Sequence, residues 1–164
     1  MLAFAAAVFF LIVTPGPGVL TTAGVGAGYG WGAGLRWLVG LWAGTNLVAL
    51  AVVSGLWAAV AAAPGLRAAL FGASLLYLLY LAGRIAFAGA RIAFIEARKA
   101  PGAPGGLLLQ IINPKAYAVN TTLFTGFAFM PQALGLELAL KFLIMNLIWL
   151  PIHLAWLQAG VSLH

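Results

Sequence analysis

Residues 109–120 read LQIINPKAYAVN, and they place the Asn-Pro-Lys triplet of residues 113–115 near the start of an otherwise apolar run, residues 107–130. A proline inside a helix removes one backbone hydrogen bond and clashes with the preceding turn, so backbone carbonyls are left free. A lysine and amides beside such a break are costly in hydrocarbon unless they face a wet or protein-lined interior. A second break, Pro-Gly-Pro at residues 15–17, interrupts the first apolar run in a comparable way. The pairing of these two breaks is the strongest indication of function in the sequence.

The composition indicates a membrane protein. Hydrophobic residues make up 65% of the sequence and charged residues only 6%, whereas about a quarter of the residues of a soluble domain are charged. Such a chain cannot cover a water-facing surface, so it is predicted to be an all-α, polytopic membrane protein. It contains no cysteine, which excludes disulfides, thiolate metal sites and cysteine nucleophiles. The formal net charge of +6 comes from basic residues that flank apolar runs, which is typical of topology signals and not of a nucleic-acid partner.

Five apolar runs are long enough to be membrane spans, since a helix needs about 20 such residues to cross the hydrocarbon core. They lie at residues 2–24, 35–61, 66–90, 107–130 and 135–161. The first run is predicted to remain as a span and not to be cleaved as a signal peptide, because the first cation is Arg36. The polar linker that follows the third run contains Arg91, Glu96, Arg98 and Lys99. Its positive charge places it in the cytoplasm, so the N-terminus is expected outside and the C-terminus inside.

Local features give finer expectations. Glycine occupies every second position from 24 to 34, which predicts a flexible turn in the middle of this stretch and close helix packing at its ends. Gly40 and Gly44 have the spacing that lets helix backbones approach closely. Glu137 and Lys141 are four residues apart and can pair at the outer end of the last span. Pro151 should kink the middle of that span.

The two halves of the chain show signs of an internal repeat. Pro15 aligns with Pro114 at an offset of 99 residues, and Asn46 aligns with Asn146 at an offset of 100. Three spans per half would insert the halves in opposite orientations, as in many secondary transporters. A chance alignment of apolar runs is the alternative. The expected parts are a first repeat of three spans, a cytoplasmic basic linker and an incomplete second repeat that lacks a sixth span, at residues 1–90, 91–106 and 107–164.

Three segments of the sequence stand out together: TPGP at residues 14–17, GASLLYLLYLAGR at residues 72–84 and NPK at residues 113–115. In order and spacing, over nearly the whole chain, they resemble the LysE/RhtB family of bacterial amino-acid exporters. The resemblance implies a multi-pass inner-membrane protein that exports amino acids or similar small zwitterions by proton antiport. The chain departs from the family pattern in having five spans instead of six, which implies either a fragment or a shortened member. It also lacks the aspartate that members often carry near residues 44–46.

The two breaks suggest how a zwitterion could be bound. Half-helix N-termini present free N–H groups and a positive dipole end to a carboxylate, and Lys115 could add a charge. Freed carbonyls and asparagine amides could bind the ammonium group. The candidate substrate-binding residues are therefore Pro15, Gly16, Pro17, Asn46, Asn113, Pro114, Lys115 and Asn120.

Several of these residues also have a purely structural interpretation. Lys115 could extend its ammonium group to the cytoplasmic headgroups, and Asn46 and Asn146 could form an interhelical hydrogen bond. His153 lies seven residues after Asn146 on the same helix face. It is a candidate proton relay, although a histidine in a span is more often a packing residue.

Amino-acid export is the favoured function, and a truncated membrane component that does not transport, or an assembly partner, is the alternative. An enzyme is disfavoured, because the sequence offers no cysteine, no paired carboxylates and no Ser–His pair within one span. Two histidines and two glutamates far apart do not indicate a metal site, and no cofactor is expected. The expected partners are an amino-acid substrate and the lipid bilayer, with homo-oligomerisation left open.

Overall fold

The computed structural model describes residues 1–86 and 100–163 of the chain. Within these ranges the secondary structure is all-helical, without strands. The linker residues Arg91, Glu96, Arg98 and Lys99 lie outside the described residues. In chain order the helices are α1 (Leu2–Val13), α2 (Pro17–Val53), α3 (Leu56–Ala61), α4 (Pro64–Ala86), α5 (Ala103–Ile112), α6 (Pro114–Gly126) and α7 (Leu134–Val161).

Three of the described helices are long and apolar enough to cross a membrane. They are α2 with 37 residues, α4 with 23 residues and α7 with 28 residues, compared with the roughly 20 that a span requires. Helix α7 continues through Pro151 without interruption. Two shorter apolar helices, α1 and α5, end at the two proline breaks. The fold therefore indicates a membrane protein built from helices.

The first break separates α1 from α2, as the sequence predicts. Thr14 ends α1 with φ −58° and ψ 125°, the extended conformation that a following proline imposes. Its hydroxyl group donates to the carbonyl of Phe10 at 2.5 Å. Gly16 is extended, and Pro17 is the first residue of α2, a position where the missing N–H of proline costs nothing.

The second break separates α5 from α6 and is built in the same way. Asn113 is extended, with φ −78° and ψ 109°, and Pro114 is the first residue of α6. The side-chain oxygen of Asn113 accepts a hydrogen bond from the backbone N–H of Lys115 at 3.0 Å. Asn113 therefore caps the helix that Pro114 begins, and both predicted breaks are confirmed.

The glycine-rich stretch forms a kink inside α2 and not the flexible turn that its composition suggests. Gly30 has φ 72° and ψ −175°, whereas the residues on both sides are helical. Only glycine adopts this conformation without strain, so a single residue changes the direction of the helix axis. The expected close packing is present, because Gly26 and Gly34 both lie against the side chain of Leu157 in α7.

Helix α2 lies at the centre of the fold, between α5 and α7. The backbones of α2 and α5 approach closely at Gly40 and Gly44. A Cβ atom on Gly40 would overlap the backbone of Ala103, and one on Gly44 would lie 2.6 Å from the Cβ atom of Gln110. The spacing of Gly40 and Gly44 therefore serves helix packing, as expected.

Replacing Gly40 with alanine should destabilise the protein by about 1–3 kcal/mol, since the added methyl group meets backbone that cannot move aside. Gly72→Ala is the matched control, because a Cβ atom on Gly72 in α4 meets nothing within 4 Å. The control should be neutral or stabilising by up to about 1 kcal/mol, as alanine favours the helix. Unfolding in mixed detergent micelles measures both variants. Equal stabilities for the two would show that α2 and α5 do not pack through Gly40.

Candidate functional site

A cavity of about 60 Å³ lies where the two helix breaks meet. Residues of α1, α2, α5, α6 and α7 line it, so every half of each broken helix contributes to its wall. The volume is enough for several water molecules or a small polar group. The polar side chains that line the cavity are those of Thr14, Thr45, Gln110, Asn113, Lys115, Asn120 and His153.

Lys115 joins one break to the other. Its ammonium group donates to the carbonyl of Thr14 at 2.5 Å and lies 3.5 Å from the carbonyl of Pro15. These carbonyls are at the C-terminal end of α1, where the helix dipole favours a cation. Gly16 makes room for this contact, because a Cβ atom there would lie 2.6 Å from Cδ of Lys115. The ammonium group of Lys115 therefore binds carbonyls at the first break and does not extend toward lipid headgroups.

A buried chain of amides connects α2 to the second break. The amide nitrogen of Gln110 donates to the hydroxyl oxygen of Thr45 at 2.5 Å. The side-chain carbonyl of Gln110 accepts from the amide nitrogen of Asn113 at 3.0 Å. Asn113 in turn accepts a hydrogen bond from the backbone N–H of Lys115. These hydrogen bonds therefore fix the position of the Lys115 backbone. Gln110 and Thr45 escaped the sequence analysis, although a lone amide in an apolar run four residues before a proline is a recognisable signal.

Polar groups without hydrogen-bond partners remain on two of the helices that line the cavity, α2 and α6. The N-terminus of α2 has no side-chain cap, so the first N–H groups of this helix lack intrahelical partners. Asn120 uses its amide nitrogen to donate to the carbonyl of Ala116 at 2.8 Å. Its side-chain oxygen is buried and has no hydrogen-bond partner among the described residues. The cavity therefore offers N–H groups and an ammonium group to an anion, and a free oxygen to a donor.

His153 lies on the α7 wall of the cavity and is 3% exposed. Its Nδ1 atom lies 2.9 Å from the carbonyl of Trp149, and the two rings are stacked with centroids 3.6 Å apart. A Cβ atom on Gly18 would lie 3.6 Å from its Nε2 atom, so Nε2 faces the start of α2. This placement brings the predicted relay residue to the same cavity as Lys115.

The structure brings together most of the residues predicted for the site. Gly16, Asn113, Lys115, Asn120 and His153 line the cavity. Three prolines form the breaks without lining it, namely Pro15, Pro17 and Pro114.

Asn46 lies apart from the cavity lining and pairs with Asn146 of α7. Each amide nitrogen donates to the side-chain oxygen of the other residue, at 3.0 Å and 2.9 Å. The indole N–H of Trp42 also donates to the oxygen of Asn146, at 2.6 Å. The interhelical hydrogen bond considered for these two residues is therefore the interaction that the structure contains.

A double-mutant cycle on this pair should reveal coupling. Asn46→Leu and Asn146→Leu should each destabilise the protein by about 0.5–2 kcal/mol, because each removes both hydrogen bonds between the two amides, whereas the remaining amide nitrogen still donates to a backbone carbonyl of its own helix. The double variant should lose less than the sum of the two single losses, since the same two hydrogen bonds are lost in each single variant and can be lost only once. Unfolding in mixed micelles gives the three free energies. Strictly additive losses would mean that the two amides do not interact.

Comparisons with protein-family models, with curated proteins and with solved structures find no match for this chain. Among the described residues no group of three or more His, Asp or Glu side chains could hold a metal ion. The fold and the site define the protein as an all-helical chain that has apolar helices of membrane-spanning length and a polar cavity at two helix breaks.

Proposed function

We propose that this protein is a transporter of the bacterial inner membrane that exports amino acids or similar small zwitterions by proton antiport. The proposal is supported by the resemblance of three sequence segments to the LysE/RhtB family and by the arrangement of the cavity. Of these two, the cavity carries the proposal, because its groups are complementary to both charges of a zwitterion.

The carboxylate of an amino acid would bind between the start of α2 and Lys115. The uncapped N–H groups and the positive end of the helix dipole favour an anion there, and a charge-assisted bond to an ammonium group is about twice as strong as a neutral one. Lys115 would then release the carbonyls of Thr14 and Pro15. These carbonyls and the free oxygen of Asn120 would accept hydrogen bonds from the ammonium group of the substrate.

The architecture that we propose has five spans. The first is α1 with the part of α2 before Gly30, and the second is the part of α2 after it. Helix α4, the pair α5 and α6, and α7 form the remaining three. An inverted repeat explains why the two breaks meet at one cavity. It also explains the reciprocal bonds between Asn46 and Asn146, since equivalent residues on a two-fold axis contact each other. His153 is the proposed proton carrier, as it lies in the substrate cavity.

Counterflow in proteoliposomes tests this function. Vesicles loaded with a mixture of amino acids should take up at least one labelled amino acid in a protein-dependent manner, and an opposing proton gradient should drive its net movement. The matching amino-acid amide, which lacks the carboxylate, and the matching 2-hydroxy acid, which lacks the ammonium group, should both compete much more weakly than the amino acid itself. A folded, inserted protein that exchanges none of the twenty amino acids would instead support the non-transporting membrane component.

A further inference from the structure

Glu137 and Lys141 form a buried ion pair that the proposed substrate site does not use. The carboxylate and ammonium groups are 2.8 Å apart, and the side chains are only 5% and 3% exposed, respectively. The sequence predicts this pair, but at a water-facing end of the span and not in the interior. Removing one partner of a buried ion pair leaves the other charge uncompensated and is strongly destabilising, so the pair stabilises one particular arrangement of its surroundings.

That arrangement is the turn between α6 and α7, residues 127–133. The second oxygen of Glu137 accepts hydrogen bonds from the backbone N–H groups of Phe129, at 2.9 Å, and Met130. The ammonium group of Lys141 donates to the carbonyl of Phe124 at 3.2 Å, at the end of α6. It also lies 5.9 Å from the ring centroid of Phe4 and 5.7 Å from that of Phe129. The ion pair thus fixes the turn against α1, α6 and α7.

Aromatic rings also hold the turn in place. Together with the ion pair they form a group that we call the end cluster, which comprises Phe4, Phe127, Phe129, Glu137 and Lys141. The ring of Phe4 in α1 contacts those of Phe127 and Phe129, with centroids 6.0 Å and 5.8 Å apart. Two ring contacts with α1 therefore depend on the position of the turn, and Lys141 of α7 adds a charge contact with Phe4 beside them. If the turn moved away, the contacts that the turn makes with Glu137, Lys141 and Phe4 would be lost together.

The end cluster lies at one end of the helix bundle, at a distance from the cavity. Phe4 and Thr14 are ten residues apart on α1, which places the cluster about 15 Å from the first break at 1.5 Å per residue. Along α7, Lys141 and His153 are twelve residues apart, or about 18 Å. The helix segments in between present fully buried apolar side chains, including Val8, Leu123 and Met145. The cavity is therefore sealed on this side by an apolar plug that ends at the cluster.

We propose that Glu137 is a proton-binding site whose protonation opens this end of the cavity. The inference rests on the proposed function, because a transporter cavity must open to each face of the membrane in turn. In the closed arrangement three donors surround the carboxylate, which is the form of the group that they stabilise. A proton from the aqueous phase beside the turn would bind to one oxygen of the carboxylate. It would neutralise the charge that attracts Lys141. It would also occupy a lone pair that accepts a hydrogen bond in the closed arrangement.

The remaining charges are accounted for within the same cluster. Among the described residues Lys141 is the charged group that contacts Glu137; α1 and α6 contribute Phe4 and the carbonyl of Phe124. Once the turn opens, water solvates the ammonium group of Lys141. On closure the proton of Glu137 returns to the aqueous phase from which it came. This proton therefore controls access and is separate from the one that antiport moves through the cavity.

Accessibility of a cavity cysteine tests the proposal without any transport assay. The chain has no cysteine, so Val119→Cys provides a single thiol on the cavity wall, and Gln132→Cys provides an exposed reference thiol in the turn. A membrane-impermeant thiol reagent is applied to the face from which the reference is labelled. The labelling rate of the cavity thiol is divided by that of the reference at each pH, which corrects for the effect of pH that the two thiols share. The Glu137→Gln protein carries the same two thiols, so it controls for the difference between them.

The ratio should be low at neutral pH and should rise about tenfold on acidification, since loss of a charged partner costs more than the 1.4 kcal/mol that a factor of ten represents. With Glu137→Gln added, it should be high at every pH. A low, pH-dependent ratio in the Glu137→Gln protein would overturn the proposal. A ratio that does not change with pH while Glu137 is intact would also overturn it, and that measurement requires no substitution in the end cluster. Acid-dependent opening in a protein that exchanges no amino acid would retain the gate and remove the transport function.

Discussion

Replacing Lys115 with methionine should weaken amino-acid binding about 10- to 100-fold, because a hydrogen bond to a charged group contributes about 1.5–3 kcal/mol. Methionine preserves most of the apolar stem that packs beside Gly16, so the protein should still fold and insert. What disappears is the ammonium group that now binds the carbonyls of Thr14 and Pro15. Equilibrium binding of an exported amino acid to the purified protein measures the loss.

Two controls isolate the charge of Lys115. Arg36→Met removes a cation from an exposed position of α2 and should leave the dissociation constant unchanged. The amino-acid amide lacks the carboxylate that Lys115 would bind, so it should bind the Lys115→Met protein no more weakly than it binds the unmodified protein. If Lys115→Met bound the amino acid with unchanged affinity, the ammonium group would have a structural role only, as a link between the two breaks.

The second large effect is expected from the prolines, because they should separate insertion from transport. Pro114→Ala restores a backbone N–H and frees Asn113 from the extended conformation that a following proline favours. Helices α5 and α6 could then join into one helix from Ala103 to Gly126. The protein should insert at least as well, yet efflux should fall at least about tenfold, since a misplacement of about 1 Å at a binding site can be that costly. Pro15→Ala should behave likewise, as Thr14 precedes it in an extended conformation.

Pro151→Ala provides the matched control for this pair of variants. Pro151 lies inside α7, which continues through it, and it does not line the cavity at the breaks. Efflux should therefore remain close to that of the unmodified protein. Membrane-inserted protein and amino-acid efflux are measured side by side in the same cells. Normal efflux from both Pro114→Ala and Pro15→Ala would show that the breaks are packing features, and the substrate site would lie elsewhere.

The sequence predicts those features of the fold that depend on near neighbours. Proline sets the backbone of its own residue and of the residue before it, so both breaks can be located to within a residue or two. The spacing of Gly40 and Gly44 indicates close packing because small side chains permit little else. The pairing of Glu137 with Lys141 follows from their four-residue separation on a helix.

Features that depend on distant parts of the chain could not be predicted. Lys115 contacts carbonyls about a hundred residues away, and no local pattern distinguishes that destination from the headgroups. The burial of Glu137 depends on how the turn at residues 127–133 folds back over it. Gln110 and Thr45 become part of the site only because α2 and α5 pack together. The position of the kink at Gly30 could not be predicted either, since any of the six alternating glycines could adopt the required backbone conformation.

The reciprocal bonds between Asn46 and Asn146 have a consequence for how this sequence can change over generations. An isolated replacement of either residue removes both hydrogen bonds between the two amides and leaves the other amide with fewer partners, which is costly for a partly buried polar group. Replacing both with apolar residues of similar shape can be nearly neutral. Substitutions at these two positions, which are about a hundred residues apart in the sequence, should therefore occur together during evolution.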